Sequence, residues 1–270
     1  MPLLVRTWNL FHGNAVPPER RGFLEQMVRL AAADDPDVVC LQEVPAWALA
    51  RLDEWSGMAA ATALAAPPRL GPLRWPAEAG RVATELNHGL LRSAVAGQGN
   101  AILVARRHRV LARETLVLNP PDFRRGQARW LGLDLVSRLA WAKERRVCQA
   151  VRVAVGGDGG TVLVANLHAT SYAADERIAD AELRRAAAFL EGLALPEEPV
   201  VLCGDTNVLP ERSRTLRELA ERGYALTAPG IDQVLARGLP ASEARPWPEA
   251  RRRLGGRLLS DHAPVEAVLG

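Results

Sequence analysis

The chain has 270 residues, of which 48% are hydrophobic and 24% are charged. These proportions are those of a globular protein, and they exclude a disordered chain, a collagen-like repeat and a small disulfide-rich scaffold. The net charge of +3 is too small to identify a binding partner. No apolar run reaches the ~18 residues of a membrane span, and the first residues become polar too soon for a signal peptide.

The cysteines bear on where the protein resides. Cys40, Cys148 and Cys203 lie in separate apolar runs without metal-ligand spacing, which indicates buried thiols in a reducing compartment. No linker divides the chain convincingly, and α/β folds of ~250 residues often form one unit. We therefore expect a cytoplasmic protein with a single domain over residues 1–270, monomeric and without a protein partner.

Short apolar runs rich in Val, Ile and Leu predict seven β-strands. In chain order they cover residues 3–9, 37–43, 100–106, 146–155, 161–169, 199–207 and 263–269. The glycine-rich sequence GGDGG between the fourth and fifth strands predicts a hairpin. The sheet is therefore predicted to be mixed.

Residues with an apolar side at helical spacing predict helices between these strands. One helix is predicted to begin at Pro17, and two others to cover residues 176–193 and 211–222. Segments 66–76 and 119–143 are predicted to be long surface loops, which in compact domains often form the walls of a site.

Polar side chains stand where the predicted strands end, or directly before the last one. They are Asn9, Glu43, Asn166, His168, Asp205, Asn207, Asp261 and His262, and Asp232 begins a further short β-like run. Each alone is more often a turn former or a helix cap. Together they indicate a site, because α/β proteins bind ligands where strands end at one sheet edge. His12, His88 and His108 lie outside this series, and we expect them to be surface or structural residues.

The acidic members of the series suggest a metal. Glu43, Asp205, Asp232 and Asp261 in one cleft would repel each other, and they would either take up protons or recruit a cation. Oxygen ligands with amides and without cysteine favour Mg²⁺ or Mn²⁺ over structural zinc. A hard metal beside acids and imidazoles suits phosphodiester hydrolysis.

The ordered series TWNL, LQEV, GNAIL, NLHAT, GDTN, IDQVL and SDHAPV resembles the endonuclease/exonuclease/phosphatase superfamily, which has the deoxyribonuclease I-like fold. The resemblance runs from about residue 5 to residue 268. It implies an α/β (α+β) four-layer sandwich, in which two mixed β-sheets pack together with helices outside. It also implies metal-dependent cleavage of a phosphoester.

Residue roles follow from the same resemblance. Glu43 would be the principal metal ligand, with Asn9 beside it and Asp261 as a further ligand. Asp205 would orient or deprotonate the attacking water, and Asn207 would hold the phosphate. The remaining motif residues are His168 and His262, which would hydrogen-bond the scissile phosphate, Asp232, which would orient His262, and Asn100, which matches a position in the site wall.

The substrate stays open at the level of sequence. Paired arginines, such as Arg124 with Arg125 and Arg145 with Arg146, together with loop tryptophans, favour a nucleic acid, either DNA or RNA. The alternative is a small phosphoester or a phospholipid headgroup, which would need a narrow pocket walled by residues 66–95 and 119–143. A non-catalytic phosphate-binding module is disfavoured because Glu43, Asp205 and His262 are all present.

Overall fold

The computed structural model describes residues 2–70, 73–86, 95–155, 160–226 and 228–270. The strands in this part of the chain are β1 (Leu3–Asn9), β2 (Ala15–Val16), β3 (Val38–Val44), β4 (Ala59–Ala66), β5 (Arg69–Leu70), β6 (Leu73–Arg74), β7 (Gln98–Val104), β8 (Arg109–Val117), β9 (Val147–Val155), β10 (Gly160–His168), β11 (Val200–Asp205), β12 (Ala225–Leu226), β13 (Asp232–Arg237), β14 (Arg245–Pro246), β15 (Arg253–Leu254), β16 (Arg257–Leu259) and β17 (Val265–Leu269).

The described part of the chain also contains seven α-helices and three short 3₁₀ helices. The α-helices are α1 (Leu24–Ala31), α2 (Leu52–Ser56), α3 (Ala77–Leu86), α4 (Pro121–Trp130), α5 (Leu135–Ala142), α6 (Arg177–Leu193) and α7 (Arg214–Glu221). The 3₁₀ helices cover Phe11–Gly13, Ala46–Arg51 and Glu249–Arg252. None of these helices is both long and apolar enough to cross a membrane.

Two six-stranded sheets share one pairing pattern. Their strand orders are β14-β17-β1-β3-β7-β4 and β12-β13-β11-β10-β9-β8. Each sheet has one parallel pair near its middle, β1 with β3 or β10 with β11, and the strands around it are antiparallel. Both sheets are therefore mixed, as predicted. The hairpin turn proposed at GGDGG lies at residues 156–159, outside the described residues, but β9 and β10 pair antiparallel on either side of it.

The alternation of side chains along the strands produces four layers. On β3, Val38 and Cys40 face the other sheet, whereas Val39 and Leu41 pack against α1 and α2. The outer side of the second sheet packs in the same way against α6 and α7. Strands that are buried on both sides need continuous apolar runs, which is why the strands are so visible in the sequence. The predicted four-layer α/β sandwich is confirmed.

The predicted start of the first helix and the predicted loop over 119–143 are wrong, and strands β4 and β8 were not predicted. The first helix begins at Leu24 and not at Pro17, because the amide of Phe23 bonds the carbonyl of Gly13 and ties the preceding residues to the turn after β1. The segment 119–143 is not a loop but a pair of helices, α4 and α5. Asp134 caps α5 by accepting a hydrogen bond from the amide of Ser137.

Candidate active site

The polar strand ends come together at one edge of the paired sheets. Asn9, His168 and Asp205 are the last residues of β1, β10 and β11. The register places Asp205 beside His168 on one side and Asp232 on the other. The prediction that these residues converge follows from the parallel pairs, whose carboxyl ends point the same way.

Asp205 lies fully buried at the centre of this cluster. Its Oδ2 accepts a hydrogen bond from Nδ2 of Asn9 at 3.0 Å, and its Oδ1 accepts one from the amide of Asn207 at 3.0 Å. Burial, together with the charge of Asp232, raises the pKa of Asp205 to about 7. This carboxylate can therefore exchange a proton near neutral pH.

Gly204 brings β11 close to β10 just before Asp205. Its φ of +133° is a conformation that side chains rarely adopt, and a Cβ atom there would lie 2.0 Å from the carbonyl oxygen of Leu167. The glycine of the GDTN motif is thus required by the backbone contact that sets Asp205 beside His168.

His262 is held by Asp232. Nδ1 of His262 lies 2.8 Å from Oδ2 of Asp232, and its Nε2 lies 3.8 Å from Oδ2 of Asp205. Burial opposes the imidazolium, but the hydrogen bond and charge of Asp232, with the charges of Asp205 and Asp261, raise the pKa of His262 to about 10. His262 is therefore a cation at neutral pH and offers an N–H at Nε2.

The turn that carries His262 is tied down by three buried groups. Nε1 of Trp8 donates to the carbonyl of His262 at 2.9 Å. Oγ of Ser260 donates to the carbonyl of Asn9 at 2.7 Å, and Nη1 of Arg252 donates to the carbonyls of Leu259 and Ser260 at 3.0 and 2.8 Å. These bonds fix the imidazole relative to β1.

His168 contacts a buried arginine. Nη1 of Arg146 lies 2.9 Å from Nδ1 of His168 and 3.3 Å from its Nε2. Burial, with the charge of Arg146, holds the pKa of His168 well below its usual value. Because a guanidinium can only donate, and Nδ1 is the nearer nitrogen, Nδ1 is the acceptor and the neutral ring carries its proton on Nε2. That nitrogen lies 3.6 Å from Oδ2 of Asp205 and 3.8 Å from Oε1 of Glu43.

Glu43 sits at an irregularity in β3. Its φ is +53°, and the pairing of β3 with β7 shifts register between Leu41 and Val44. A bulge of this kind redirects a side chain, and residues in such a conformation concentrate at functional sites. Oε2 of Glu43 lies 3.2 Å from Nε2 of His12. The carboxylate is thus directed into the cluster and not along the strand.

The other predicted residues are more peripheral. Asn207 has a φ of +49° and donates from Nδ2 to the carbonyl of Ala169. Asp261 is exposed, and its Oδ1 accepts a 3.4 Å hydrogen bond from Ser260. Asn166 and Asn100 connect the sheets below the site: Asn166 donates to the carbonyls of Leu41 and Ala101 of the first sheet, and Asn100 donates to the carbonyl of Val147.

The sequence did not mark two residues of this cluster as site residues. His12, expected to be surface or structural, is buried against Glu43. Arg146 was noted only as half of an arginine pair, yet it is buried against His168. Of the other two histidines set aside, His108 is structural and lies 2.6 Å from Asp37, and His88 falls outside the described residues.

A pocket of about 260 Å³ opens beside these groups. Glu43, His12 and Arg146 line it, with Lys143, Glu144 and Thr170 among the other lining residues. Acidic and basic side chains therefore line the same pocket.

Three of the predicted site residues form a candidate group of metal ligands. Asp205, Asp232 and His262 place one potential ligand atom each within 4.8 Å of one another. His262 is a poor ligand in that group, because its raised pKa keeps the imidazole protonated and without a lone pair. Burial and, after it, the negative charge of Asp232 raise the pKa of Asp205, and the two carboxylates lie close together here. Carboxylate oxygens gathered in this way are suited to a hard cation such as Mg²⁺ or Mn²⁺.

Comparison with known proteins shows the family of this chain. Residues 7–262 match the model of the Endonuclease/Exonuclease/phosphatase family. The chain belongs to the endonuclease/exonuclease/phosphatase family. A search of the curated proteins finds no match. Family membership supports a metal-dependent phosphoesterase, which is consistent with the acidic and imidazole groups gathered around Asp205.

Solved structures share the fold at low sequence identity. An endonuclease/exonuclease/phosphatase from Beutenbergia cavernae has a TM-score of 0.67 and 20% identity, over 99% of this chain and 71% of that chain. A functionally unknown conserved protein from Enterococcus faecalis has a TM-score of 0.69 and 14% identity, over 99% of both chains. Truncated TDP2 from Caenorhabditis elegans has a TM-score of 0.62 and 16% identity, over 100% of this chain and 97% of that chain.

Proposed function

We propose that this chain is a divalent-metal-dependent phosphodiesterase and that its substrate is a nucleic acid, DNA or RNA. The observation that carries the first part is the arrangement around Asp205, which places a buried carboxylate between one cationic and one neutral imidazole. We also propose that it acts as a single-domain monomer in the cytoplasm.

Each group around Asp205 has a role in hydrolysis. Asp205, with a pKa of about 7, accepts the proton of the attacking water. Nε2 of His262 donates a charged hydrogen bond to a phosphate oxygen, and Asp232 keeps the imidazole oriented for that contact. Nε2 of His168 donates a second, neutral hydrogen bond, because Arg146 occupies Nδ1.

The metal would be held chiefly by Glu43. Asn9 retains one acceptor lone pair on Oδ1, which otherwise binds the amide of Phe11, and Asp261 adds a third oxygen ligand from its exposed turn. A bound Mg²⁺ or Mn²⁺ supplies charge stabilisation for the phosphoryl oxygens and lowers the pKa of water.

Support for a nucleic acid comes from the basic residues around the pocket. Lys143 and Arg146 line it, and Arg145 is exposed beside them. Some arginines of other pairs and runs in the sequence are engaged elsewhere: Arg107 pairs with Asp35 and Asp37, and Arg251 stacks on Trp247. The basic contact surface is therefore smaller than the arginine pairs alone indicate.

The second candidate substrate is a phospholipid headgroup or another small phosphodiester. The segment that forms part of the pocket wall favours this candidate. Ala140 and Lys143 line the pocket, and both belong to the segment that this alternative requires as a wall. A wall of this kind restricts the size of the group attached to the phosphate.

The experiment is incubation of the purified protein with supercoiled plasmid and, separately, with bis(4-nitrophenyl) phosphate, in Mg²⁺, Mn²⁺ or EDTA. Asp205→Ala from the same preparation is the control. Metal-dependent nicking that the variant lacks supports a nuclease. Hydrolysis of the small diester with an intact plasmid retains the phosphodiesterase and rejects the nucleic acid. Failure of both reactions with folded protein rejects the proposed function.

A further inference from the structure

Helix α5 presents its largest aliphatic side chains to solvent. Leu135, Val136 and Leu139 are 70%, 66% and 63% exposed, whereas the buried positions are Ser137 and Trp141. A surface helix of a globular protein normally buries such residues and exposes polar ones. The arrangement is reversed here, so burial inside this chain does not account for these three residues.

Helix α4 adds one exposed aromatic side chain. Trp130 at its end is 65% exposed and lies beside Arg184, whose guanidinium carbon is 5.6 Å from the ring centroid. We refer to the solvent-facing sides of α4 and α5, which pack against each other, as the α4–α5 face. Three large apolar side chains of the short helix α5 are strongly exposed on it, and exposure of this kind marks a surface that is covered in use.

The segment that contains α4 and α5 is basic. Residues 119–146 contain seven Arg and Lys residues and three acidic ones, a net charge of +4, whereas the whole chain carries +3. Arg124, Arg125, Arg129 and Arg138 line a cavity of about 300 Å³ with Trp141 among its apolar walls. Apolar side chains next to arginines are suited to a membrane surface, where anionic headgroups cover an apolar interior.

We propose that the α4–α5 face docks on an anionic phospholipid surface. The exposed Leu and Val side chains would enter the acyl boundary, and the arginines would contact lipid phosphates. A nucleic acid matches the charge but not the aliphatic residues, which neither stack on bases nor hydrogen-bond to them. A second copy of this chain would place one basic segment against another.

The docking surface is connected to the active-site pocket. Ala140 of α5 lines the pocket. Trp141 donates from Nε1 to Oε1 of Glu182 at 2.6 Å, and Oε2 of Glu182 accepts the amide of Thr170, another pocket residue, at 2.7 Å. A lipid surface that α5 contacts would lie beside the pocket. The proposal goes beyond the proposed function, because it concerns binding and does not depend on the reaction.

The test is co-sedimentation of the full chain with vesicles of pure phosphatidylglycerol and of pure phosphatidylcholine. The apolar variant is L135S/V136S/L139S, and the charge variant is R124Q/R125Q/R129Q. The control L195S/L226S/L254S changes three leucines that are 54%, 38% and 42% exposed elsewhere. Bis(4-nitrophenyl) phosphate hydrolysis and the unfolding temperature are measured in parallel, because all of these positions lie outside the Asp205 cluster.

We expect the wild type and the control to bind phosphatidylglycerol at least ~10-fold more strongly than phosphatidylcholine. Both test variants should lose at least ~10-fold of that binding while unfolding and hydrolysis stay unchanged. Binding that is equal for the apolar variant and the wild type overturns the proposal. Plasmid binding that only the charge variant loses also overturns it, because that result indicates a nucleic-acid surface. The third contrary result is a wild type that binds no vesicles but forms a dimer, when the apolar variant is a monomer.

Discussion

Two carboxylate–histidine pairs lie at opposite edges of the same sheets. Asp37 precedes β3 and lies 2.6 Å from His108, and Asp232 begins β13 and lies 2.8 Å from His262. The residue types and distances are nearly the same. Their surroundings differ in how the negative charge is balanced.

At the Asp37 edge the charge is offset within the protein. Burial would raise the pKa of Asp37, but hydrogen bonds from His108, the amide of Leu4 and Arg107 outweigh it and lower that pKa. At the other edge, burial and the charge of Asp232 outweigh the charge of His262 and the hydrogen bonds from Asn9 and Asn207, and the pKa of Asp205 rises to about 7.

The difference separates a stabilising pair from a reactive one. A carboxylate whose charge is fully offset by neighbouring groups stabilises the fold, and it attracts a cationic ligand only weakly. A buried carboxylate with excess charge costs stability in the free protein, and it is suited to bind a cation or a proton. We therefore assign Asp37 a stabilising role, whereas Asp205 has the properties that the proposed reaction needs.

The largest expected effects come from exchanging these two acids for amides. Asp205→Asn should lower kcat/KM for bis(4-nitrophenyl) phosphate by at least ~10² because it removes the proton acceptor. Asp37→Asn should leave kcat/KM unchanged and lower the free energy of unfolding by ~3 kcal/mol, as expected for a broken buried ion pair. Steady-state kinetics and denaturant unfolding measure both variants. The comparison fails if Asp205→Asn is as active as the wild type.

A double-mutant cycle sharpens the assignment of Asp232. His262→Ala should lower kcat/KM by ~10², and the double variant with Asp232→Ala should be little worse, because Asp232 acts through the imidazole it orients. The four kcat/KM values give the coupling directly. Fully additive losses would mean that Asp232 contributes independently of His262.

Neighbouring arginines provide a matched pair of variants. Arg146→Gln should lower kcat/KM by ~10-fold, because His168 would lose the charged donor at Nδ1 that keeps the ring neutral with its proton on Nε2. Arg145→Gln, at an exposed position, should have a much smaller effect on the small diester. Equal losses in the two variants would indicate a general effect of surface charge rather than the contact with His168.

The pH dependence of stability gives the smallest effect. The pKa of Asp37 is lowered in the folded state, so its stabilisation is present above the unfolded-state pKa of ~3.9 and is lost as pH falls through the folded value. The difference in unfolding free energy between the wild type and Asp37→Asn should therefore be constant near neutral pH and shrink below pH ~4. A difference that grows on acidification would show that Asp37 is not stabilised as a carboxylate.

Much of the architecture was predictable because its signal is local. Strands buried on both sides are continuous apolar runs, and the strand ends at Asn9, His168 and Asp205 follow from those runs. The helices α4 and α5 were missed because α4 is polar and α5 exposes its apolar residues, so neither segment has the usual pattern.

The missed site residues have a topological explanation. Arg146 directly precedes β9, and β9 runs antiparallel to β10, so the start of one strand lies beside the end of the other. A search restricted to strand ends cannot find such a residue. His12 has a φ of +54° in the turn after β1, and that backbone conformation, which places it against Glu43, has no signature in the sequence.

The central claim is that the acidic excess around Glu43 and Asp205 serves a divalent cation, whereas the acid at the opposite edge does not. The most direct measurement is Mn²⁺ binding to the folded protein, followed by electron paramagnetic resonance. The account predicts saturable binding in the wild type and in Asp37→Asn, and binding at least ~10-fold weaker in Glu43→Gln. Equal Mn²⁺ affinity in Glu43→Gln and the wild type, or no binding in a folded wild type, would contradict it.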